Sequence, residues 1–258
     1  MMTGIEFWGL DLGVMAFLIV GAAVAGFIDA LCGGGGLISI PVLLTAGFSP
    51  AQAIAANKLQ GAVGALASTH YYAGKGVLDK RRLWALLPPA LLGGGLGTLA
   101  IQFVGNRFMS YALPVMLILM AAYFAFSKQI KDEPRTAKMG VAAFSFTVVP
   151  LIGFYDGFFG PGAGTFYLAA VTMLLGMSLT AGMAYSRVLN LASNLVSLAI
   201  FIYLGKMVWL AGILMTVGEV AGVYLGSHLV YKNGAKLVKP LVVVACVAMA
   251  LKYLFWGN

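Results

Sequence analysis

The feature that most constrains this chain is a series of long apolar stretches with almost no charge. Residues 10–31, LDLGVMAFLIVGAAVAGFIDAL, and residues 113–126, LPVMLILMAAYFAF, are typical of them. About 20 predominantly apolar residues let one helix cross the hydrocarbon of a bilayer. Only 9% of all residues are charged, whereas a soluble domain has about 25%. The sequence therefore predicts an all-α polytopic membrane protein, since a transmembrane barrel requires alternating apolar and polar residues.

The apolar stretches divide into ten hydrophobic segments joined by short connections. They cover residues 13–31, 36–47, 51–73, 83–104 and 108–127 in the first half, and 140–158, 163–176, 180–204, 207–230 and 237–256 in the second. Segments 36–47 and 163–176 are too short to cross the hydrocarbon fully at about 1.5 Å per residue. Each of these two is therefore either a re-entrant helix or part of a crossing shared with the helix before it.

An internal repeat covers nearly all of the chain from residue 14 onward. Asp29 precedes Asp156 by 127 positions, and a two-residue insertion then raises the offset to 129, which matches Lys58 with Arg187. The other matched residues are small: Gly26 with Gly153, Gly33 with Gly160, Gly35 with Gly162, Ser49 with Ser178, Gly76 with Gly205, Gly93 with Gly222, Gly97 with Gly226 and Gly105 with Gly234. The sequence predicts a first membrane repeat at 1–127, a cytoplasmic hinge loop at 128–138 and a second membrane repeat at 139–258.

The distribution of basic residues predicts how the repeats are oriented. Residues 75–82 and 127–138 each contain four Lys or Arg residues, and residues 231–239 contain three. Because cytoplasmic loops carry the excess of Lys and Arg, these stretches are predicted to be cytoplasmic and both termini periplasmic. The repeat-equivalent loops around residues 78 and 206 then lie on opposite faces, which is an inverted-topology repeat of the kind found in secondary transporters. A parallel duplication of eight helices is the alternative.

Two glycine runs interrupt apolar helices at matched positions. CGGGG at 32–36 and GPGAG at 160–164 cannot remain regular helix, because each interior glycine costs about 1 kcal/mol and a proline about 3 kcal/mol. Broken backbone inside a membrane persists only where it is buried in protein or lines a cavity. The helix that follows each break points a positive dipole end at it, which suits an anion. The residues expected to bind it are Gly34, Gly35, Gly36, Gly162, Ala163 and Gly164. The alternative is close helix packing by small residues.

A lysine and an arginine occupy matched positions in otherwise uncharged helices. Lys58 lies in AIAANKLQGAVGALASTHYY and Arg187 in AGMAYSRVLNLASNLVSLAI. Their polar neighbours, adjacent in sequence or on the same helix face, are Asn57, Gln60, Ser186, Asn190 and Asn194. Two cations beside amide groups and two positive helix ends predict a pocket that binds a small oxyanion. The alternative is that both side chains extend to the membrane interface.

Three acidic residues lie within apolar sequence, where an ionised carboxylate costs several kcal/mol unless it faces a partner or water. Asp29 and Asp156 precede the glycine runs. Each either relays protons or caps the N–H groups of its own broken helix. Glu219 has no charged match in the first half, where Pro89 or Ala90 falls, and it is a candidate for an acid that couples transport to an ion.

Four motifs carry a resemblance to the sulfite exporter TauE/SafE family, also called the 4-toluene sulfonate uptake permeases. They are GFIDALCGGGGLISIPVLL, AIAANK, GFYDGFFGPGAGTF and AYSRVLNLASNL, and the resemblance spans nearly the whole chain. It implies a multi-pass permease of the bacterial inner (plasma) membrane that carries sulfite, a sulfonate or a related organosulfur anion. The residues by themselves indicate only a small anion.

Secondary transport by alternating access at a midplane site is the predicted function. The chain has no Walker-type phosphate loop, so an ion gradient or the substrate's own gradient supplies the energy, with a proton or sodium as coupling ion. An anion channel is the alternative. An intramembrane enzyme is less favoured, because no H-E-x-x-H motif or nucleophile elbow is present. We expect no cofactor, metal or nucleic acid. The expected partners are the anion and the bilayer, and a homo-oligomer is left open.

Overall fold

Nine helices follow one another through the residues that the computed structural model describes, which are 6–7, 10–74, 76–126, 134 and 136–233. In the first half they are α1 (Leu12–Cys32), α2 (Gly36–Thr45), α3 (Pro50–Ala73), α4 (Lys80–Ile101) and α5 (Asn106–Phe126). In the second half they are α6 (Val141–Phe158), α7 (Ala163–Leu174), α8 (Leu179–Tyr203) and α9 (Trp209–Asn233). A short antiparallel pair of strands, β1 (Glu6–Phe7) and β2 (Leu10–Asp11), precedes α1. The predicted segment at 237–256 lies outside the described residues.

The composition of the helices fits a multi-pass membrane protein. Within the described ranges, five helices are long and apolar enough to cross a membrane, namely α1, α4, α6, α8 and α9. α2 and α7 are apolar but have only 10 and 12 residues, as the short segments predicted. Large apolar side chains such as Phe146, Leu151 and Tyr203 are exposed on the outside of the bundle, where hydrocarbon is the expected solvent. The prediction of a helical membrane protein is therefore confirmed.

Local sequence explains where the two polar central helices begin. Ser49 caps α3 by accepting a hydrogen bond from the Gln52 amide, and Gln52 Oε1 accepts one from the Ser49 amide at 2.9 Å. This reciprocal capping box is a strong start signal, and the proline at the first helical position reinforces it. Ser178, which the sequence matches with Ser49, caps α8 by accepting a hydrogen bond from the Ala181 amide. Each break is thus followed by a short helix, a capped turn and a long central helix.

The long helices α1 and α9 pack in parallel through glycines. A Cβ atom at Gly222 would overlap the carbonyl oxygen of Ala23, and one at Gly226 would lie 2.6 Å from the carbonyl oxygen of Phe27. Residue numbers increase together along the two helices, so both run in the same direction. Small residues permit this close backbone approach, which is a common way for helices to associate in membranes.

The helices α4 and α6 form a second pair of the same kind. A Cβ atom at Gly93 would overlap the carbonyl oxygen of Pro150, and one at Gly97 would overlap that of Phe154. Residue numbers again increase together, so these helices are also parallel. Each of the two pairs combines one helix from the first half of the chain with one from the second.

The buried apolar residues form two clusters. One is built mainly from α1, α2, α3, α5 and α9, and the other from α4, α6, α7 and α8. Both clusters therefore mix helices from the two halves of the chain. The breaks between α1 and α2 and between α6 and α7 meet where the clusters adjoin, and this region contains the polar residues discussed below.

Replacing Gly222 or Gly97 by alanine is expected to destabilise the protein, because the added methyl group has to push two helix backbones apart. Overpacking of this kind costs about 1–3 kcal/mol. Gly105→Ala is the matched control, since a Cβ atom there meets nothing within 4 Å. Thermal unfolding in detergent measures the effect, and equal melting temperatures for all three variants would contradict the packing.

Candidate functional site

The two breaks in the helices contact each other. After α1 the chain turns through Gly33 at φ 84°, and after α6 it turns through Gly160 and Gly162 at φ 93° and 76°. Only glycine adopts such backbone conformations routinely. A Cβ atom at Gly33 would also lie 2.6 Å from the carbonyl carbon of Gly164. The glycine runs therefore serve both to reverse the chain and to let the two broken segments touch.

A small polar cavity lies where these segments meet, and the starts of α2 and α7 form part of its wall. Its volume is about 20 Å³, which is room for about one water molecule. Its wall comes from both breaks and from α3, α8 and α9. The wall residues are Asp29, Gly33, Gly35, Gly36, Asn57, Gln60, Gly61, Asp156, Gly160, Gly162, Gly164, Asn190, Asn194 and Glu219.

Arg187 on α8 pairs with Asp29 at the end of α1. Its Nη1 donates to Asp29 Oδ2 at 2.7 Å, and its Nη2 donates to the main-chain carbonyl of the same residue. Asp29 Oδ1 accepts from the Gly35 amide at 3.1 Å. Asp29 therefore caps the start of α2, which is one of the two roles that the sequence left open, and also neutralises the arginine.

Lys58 on α3 forms the corresponding pair with Asp156 on α6. Its Nζ lies 2.8 Å from Asp156 Oδ1 and also donates to the main-chain carbonyl of Asp156. Asp156 Oδ2 accepts from Asn190 Nδ2 at 2.8 Å and from the Ser193 hydroxyl. Asp156 thus differs from Asp29, because its carboxylate binds side chains of α3 and α8. Within the described residues, it accepts no hydrogen bond from the amides at the start of α7.

Each ion pair connects the two halves of the chain and the two apolar clusters. Lys58 and Arg187 are completely buried, with 0% of their surface exposed, which rules out extension to the membrane interface. Each cation lies at the C-terminal end of the other half's broken helix, where a positive charge is favourable. Buried charges are costly unless they are paired and hydrogen-bonded, and both conditions are met here.

Glu219 on α9 is the third carboxyl group of the cavity wall. It is 2% exposed, and its Oε2 accepts from Gln60 Nε2 at 2.7 Å. Its Oε1 lies so close to Gly64 that a Cβ atom there would be 2.6 Å away. Within the described part of the chain, its closest hydrogen-bond partner is a neutral amide rather than a cation.

The structure brings most of the predicted site residues to this cavity. Eleven of them line it: Asp29, Gly35, Gly36, Asn57, Gln60, Asp156, Gly162, Gly164, Asn190, Asn194 and Glu219. Lys58 and Arg187 lie behind the wall, each held by one of its aspartates. Ser186 is not in the wall, since its hydroxyl donates to the Met183 carbonyl of its own helix at 2.9 Å. Gly34 and Ala163 are buried in the breaks without lining the cavity.

Two hydroxyl groups complete the polar network and were not predicted. Ser193 donates to Asp156, and Ser39 on α2 accepts from Asn57 Nδ2 at 2.7 Å. Ser193 lies three residues after Asn190, so helical spacing was a usable signal for it. Ser39 lies in an apolar helix and gains its role only when α2 packs against α3. In the ranges that the structure describes, no group of three or more His, Cys, Asp or Glu side chains could hold a metal ion.

These features define a class of protein, a multi-pass helical membrane protein whose broken helices surround a buried, charged cavity. The family model described as Sulfite exporter TauE/SafE matches residues 18–253 of the chain. The chain therefore belongs to this family of membrane transporters, and the resemblance carried by its four motifs is confirmed. Membership of a transporter family also favours transport over catalysis.

Three bacterial proteins are similar to the chain over nearly its whole length. The "Probable membrane transporter protein" of Haemophilus influenzae is 39% identical over 248 residues, covering 95% of this chain and 97% of the relative. The "Probable membrane transporter protein YfcA" of Escherichia coli K12 is 38% identical over 246 residues, covering 95% and 90%. The "Probable membrane transporter protein ORF9" of a Sinorhizobium species is 37% identical over 241 residues, covering 93% and 92%. No solved structure matches the chain.

Removing one partner of a buried ion pair is expected to be strongly destabilising, because the remaining charge stays in a low-dielectric interior. Lys58→Met should lower the free energy of unfolding by about 3–5 kcal/mol, and adding Asp156→Asn should restore most of that loss. Denaturant titration in detergent micelles measures both effects.

The exposed pair between Arg82 and Asp79, with nitrogen and oxygen 3.6 Å apart, provides the control for this cycle. Arg82→Met should change the unfolding free energy by at most about 1 kcal/mol. If the double variant Lys58→Met/Asp156→Asn is as unstable as Lys58→Met alone, the buried pair does not have the energetic role described.

Proposed function

We propose that the protein is a secondary transporter for a small oxyanion, which binds in the cavity where α2 and α7 begin. The observation that carries the proposal is that two helix N-termini converge on one polar cavity, backed by two fully buried cations. Backbone N–H groups at helix starts form ready-made anion sites. The family description favours sulfite, a sulfonate or a related organosulfur anion as the substrate.

The charges around the cavity match a small anion. Lys58 and Arg187 are balanced by Asp156 and Asp29, while each helix N-terminus adds about half a positive elementary charge. The two pairs are internally neutral, so the positive partial charge at the cavity wall comes from the N-termini of α2 and α7. A sulfite or sulfonate is larger than the one water molecule for which the cavity has room, so its entry requires the wall to move apart. The anion would then offer the guanidinium and the ammonium an alternative partner, so its binding would weaken both pairs.

Weakening these pairs is the proposed route to alternating access. Both pairs join the two apolar clusters, so neither cluster can tilt away from the other while the pairs are intact. We therefore assign the moving bodies to the clusters and not to the sequence repeats. The glycine contacts favour this choice, because α1 is packed closely on α9, and α4 on α6.

The helix contacts support two repeats in this architecture. Gly222 meets Ala23 in the pair of α1 and α9, and Gly93 meets Pro150 in the pair of α6 and α4. Gly222 lies 129 positions after Gly93, and Pro150 lies 127 positions after Ala23, which are the two offsets of the sequence repeat. Equivalent residues therefore make equivalent contacts across the two halves.

The direction of the helices supports an inverted relation between the repeats. Gly212 of α9 contacts Leu59 of α3, and Glu219 contacts Gly64 further along both helices, so α3 and α9 run in the same direction. The connection from α3 to α4 and the connection from α8 to α9 then lie at opposite ends of the bundle. These connections are repeat-equivalent, as expected for inverted units in a secondary transporter.

The proposed function is tested by counterflow of radiolabelled sulfite, thiosulfate and methanesulfonate in proteoliposomes. Saturable, counterflow-competent uptake of at least one anion is expected, whereas a channel would give none. Arg187→Gln/Asp29→Asn removes both charges of one pair without leaving a buried ion. We expect this variant to fold, with a melting temperature close to that of the wild type. Its uptake rate should be at least about tenfold lower than that of the wild type.

The matched control is Arg82→Gln/Asp79→Asn, which removes both charges of an exposed pair and should leave uptake unchanged. Wild-type uptake by the double variant at the buried pair would show that Arg187 has only a structural role. Absence of counterflow with every anion would contradict transport itself.

The inverted orientation is tested by labelling single cysteines. Lys80→Cys and Lys206→Cys place thiols at exposed positions beside the two equivalent connections, after Cys32 and Cys246 have been replaced by serine. A membrane-impermeant maleimide applied to intact spheroplasts is expected to label Lys206→Cys but not Lys80→Cys. Labelling of both from the same side would contradict the inverted repeat.

A further inference from the structure

Glu219 breaks the symmetry of the cavity. Gly26 lies against the backbone of Glu219, since a Cβ atom at Gly26 would overlap the Glu219 carbonyl oxygen. Its match in the second half, Gly153, lies against the backbone of Ala90 in the same manner, with a Cβ atom 2.9 Å from the Ala90 carbonyl oxygen. Ala90 and Glu219 are also separated by the repeat offset of 129. The second half thus places a carboxyl group where the first half has a methyl group.

This carboxyl group has no matching cation among the described residues. Lys58 is paired with Asp156 and Arg187 with Asp29, while Glu219 is hydrogen-bonded to Gln60. Ionised Glu219 would therefore offset most of the positive potential of the two helix ends. An anion would then enter a cavity whose wall already carries an extra negative charge. Because the site is buried, the two negative charges would repel each other strongly.

The neighbouring amide is suited to both protonation states of the acid. Gln60 Nε2 donates to Glu219 Oε2 at 2.7 Å, which serves the ionised form. Gln60 Oε1 is buried and has no hydrogen-bond partner among the described residues. Rotation of the amide by half a turn presents this oxygen as an acceptor for a protonated Glu219, so the acid can take up a proton without leaving its position.

We propose that Glu219 is the proton-binding site of the transporter and that one proton is carried together with the anion. This inference rests on the proposed function and names its coupling ion. Protonation removes the one unbalanced charge of the wall, so anion binding and proton binding favour each other. By linkage, binding of an anion with constant charge weakens by up to about tenfold per pH unit as Glu219 ionises.

Two charged groups face Glu219 from the helices around it. They are Asp29 on α1 and Arg187 on α8, which act on it electrostatically. α3 contributes Gln60 and Gly64, which do not titrate. Asp29 and Arg187 are paired with each other, whereas Glu219 has a neutral amide as its hydrogen-bond partner, so we assign the change of charge to Glu219.

The test measures binding and uptake of thiosulfate and methanesulfonate, whose charges stay constant from mildly acidic to mildly alkaline pH. The wild type is expected to bind more weakly as pH rises, and an acidic exterior should drive accumulation in proteoliposomes. Glu219→Gln mimics the protonated acid and can donate to the Gln60 carbonyl oxygen. It is expected to lose the pH dependence and to bind at least about tenfold more tightly than the wild type at alkaline pH.

Asp79→Asn is the matched control. It makes the same change from acid to amide at an exposed residue, and asparagine remains a good helix cap. This variant should keep the wild-type pH dependence and the wild-type accumulation. Infrared titration of the carboxyl C=O band, compared between wild type and Glu219→Gln, identifies the titrating group without any substrate.

Each outcome bears on the inference. Loss of the pH dependence in Glu219→Gln but not in Asp79→Asn, together with loss of an infrared band, supports proton binding at Glu219. A wild-type pH dependence in Glu219→Gln, or wild-type accumulation that follows a sodium gradient and ignores pH, overturns it while leaving anion transport intact. Absence of both binding and counterflow in the wild type overturns the proposed function and this inference with it.

Discussion

The arrangement of this protein depends on two buried ion pairs that are exchanged between the halves of the chain. Lys58 of the first half holds Asp156 of the second, and Arg187 of the second half holds Asp29 of the first. None of these four side chains could remain ionised without its partner, because the cost of removing an unpaired charge from water would be prohibitive. The four residues therefore require each other, and they fix the two broken helices around one shared cavity.

In the proposed transporter, the same pairs would allow a stable fold to contain a site that moves. The pairs and the glycine breaks lie between the two apolar clusters, where Phe158, Phe159 and Phe166 of the second half also pack against the first cluster. Charged groups can exchange partners when an anion arrives, whereas interdigitated apolar side chains cannot separate without loss of buried area. The tight contacts of α1 with α9 and of α4 with α6 would keep each cluster intact during such a change.

The elements and the residues of the site were largely predictable from the sequence. Segments 36–47 and 163–176 correspond to α2 and α7 within a few residues, since the glycine runs set their starts. Lys58 and Arg187 were predicted to share a site because they are charged, apolar-flanked and matched in the repeat. Both side chains are 0% exposed in the structure, which excludes the alternative that they extend to the membrane interface.

The pairing of these charges was not predictable, because it depends on how the halves pack. Sequence spacing places Asp29 before its own break but does not reveal that Arg187, 158 positions away, reaches the same carboxylate. The different hydrogen-bond partners of the two aspartates were not predictable either. Asp29 caps α2, whereas Asp156 accepts hydrogen bonds from Asn190 and Ser193 of α8. The counterparts of these two α8 residues in the first half are glycines, which have no side chain to donate.

The most direct measurement is the position of a bound anion. Crystals soaked in selenite, the selenium counterpart of sulfite, allow anomalous scattering to locate the anion without reference to any activity. Binding at the proposed site predicts a peak between Gly36 at the start of α2 and Gly164 in the first turn of α7, within reach of Lys58 and Arg187. Selenite found only at exposed basic residues such as Arg81, or not bound at all, would contradict it.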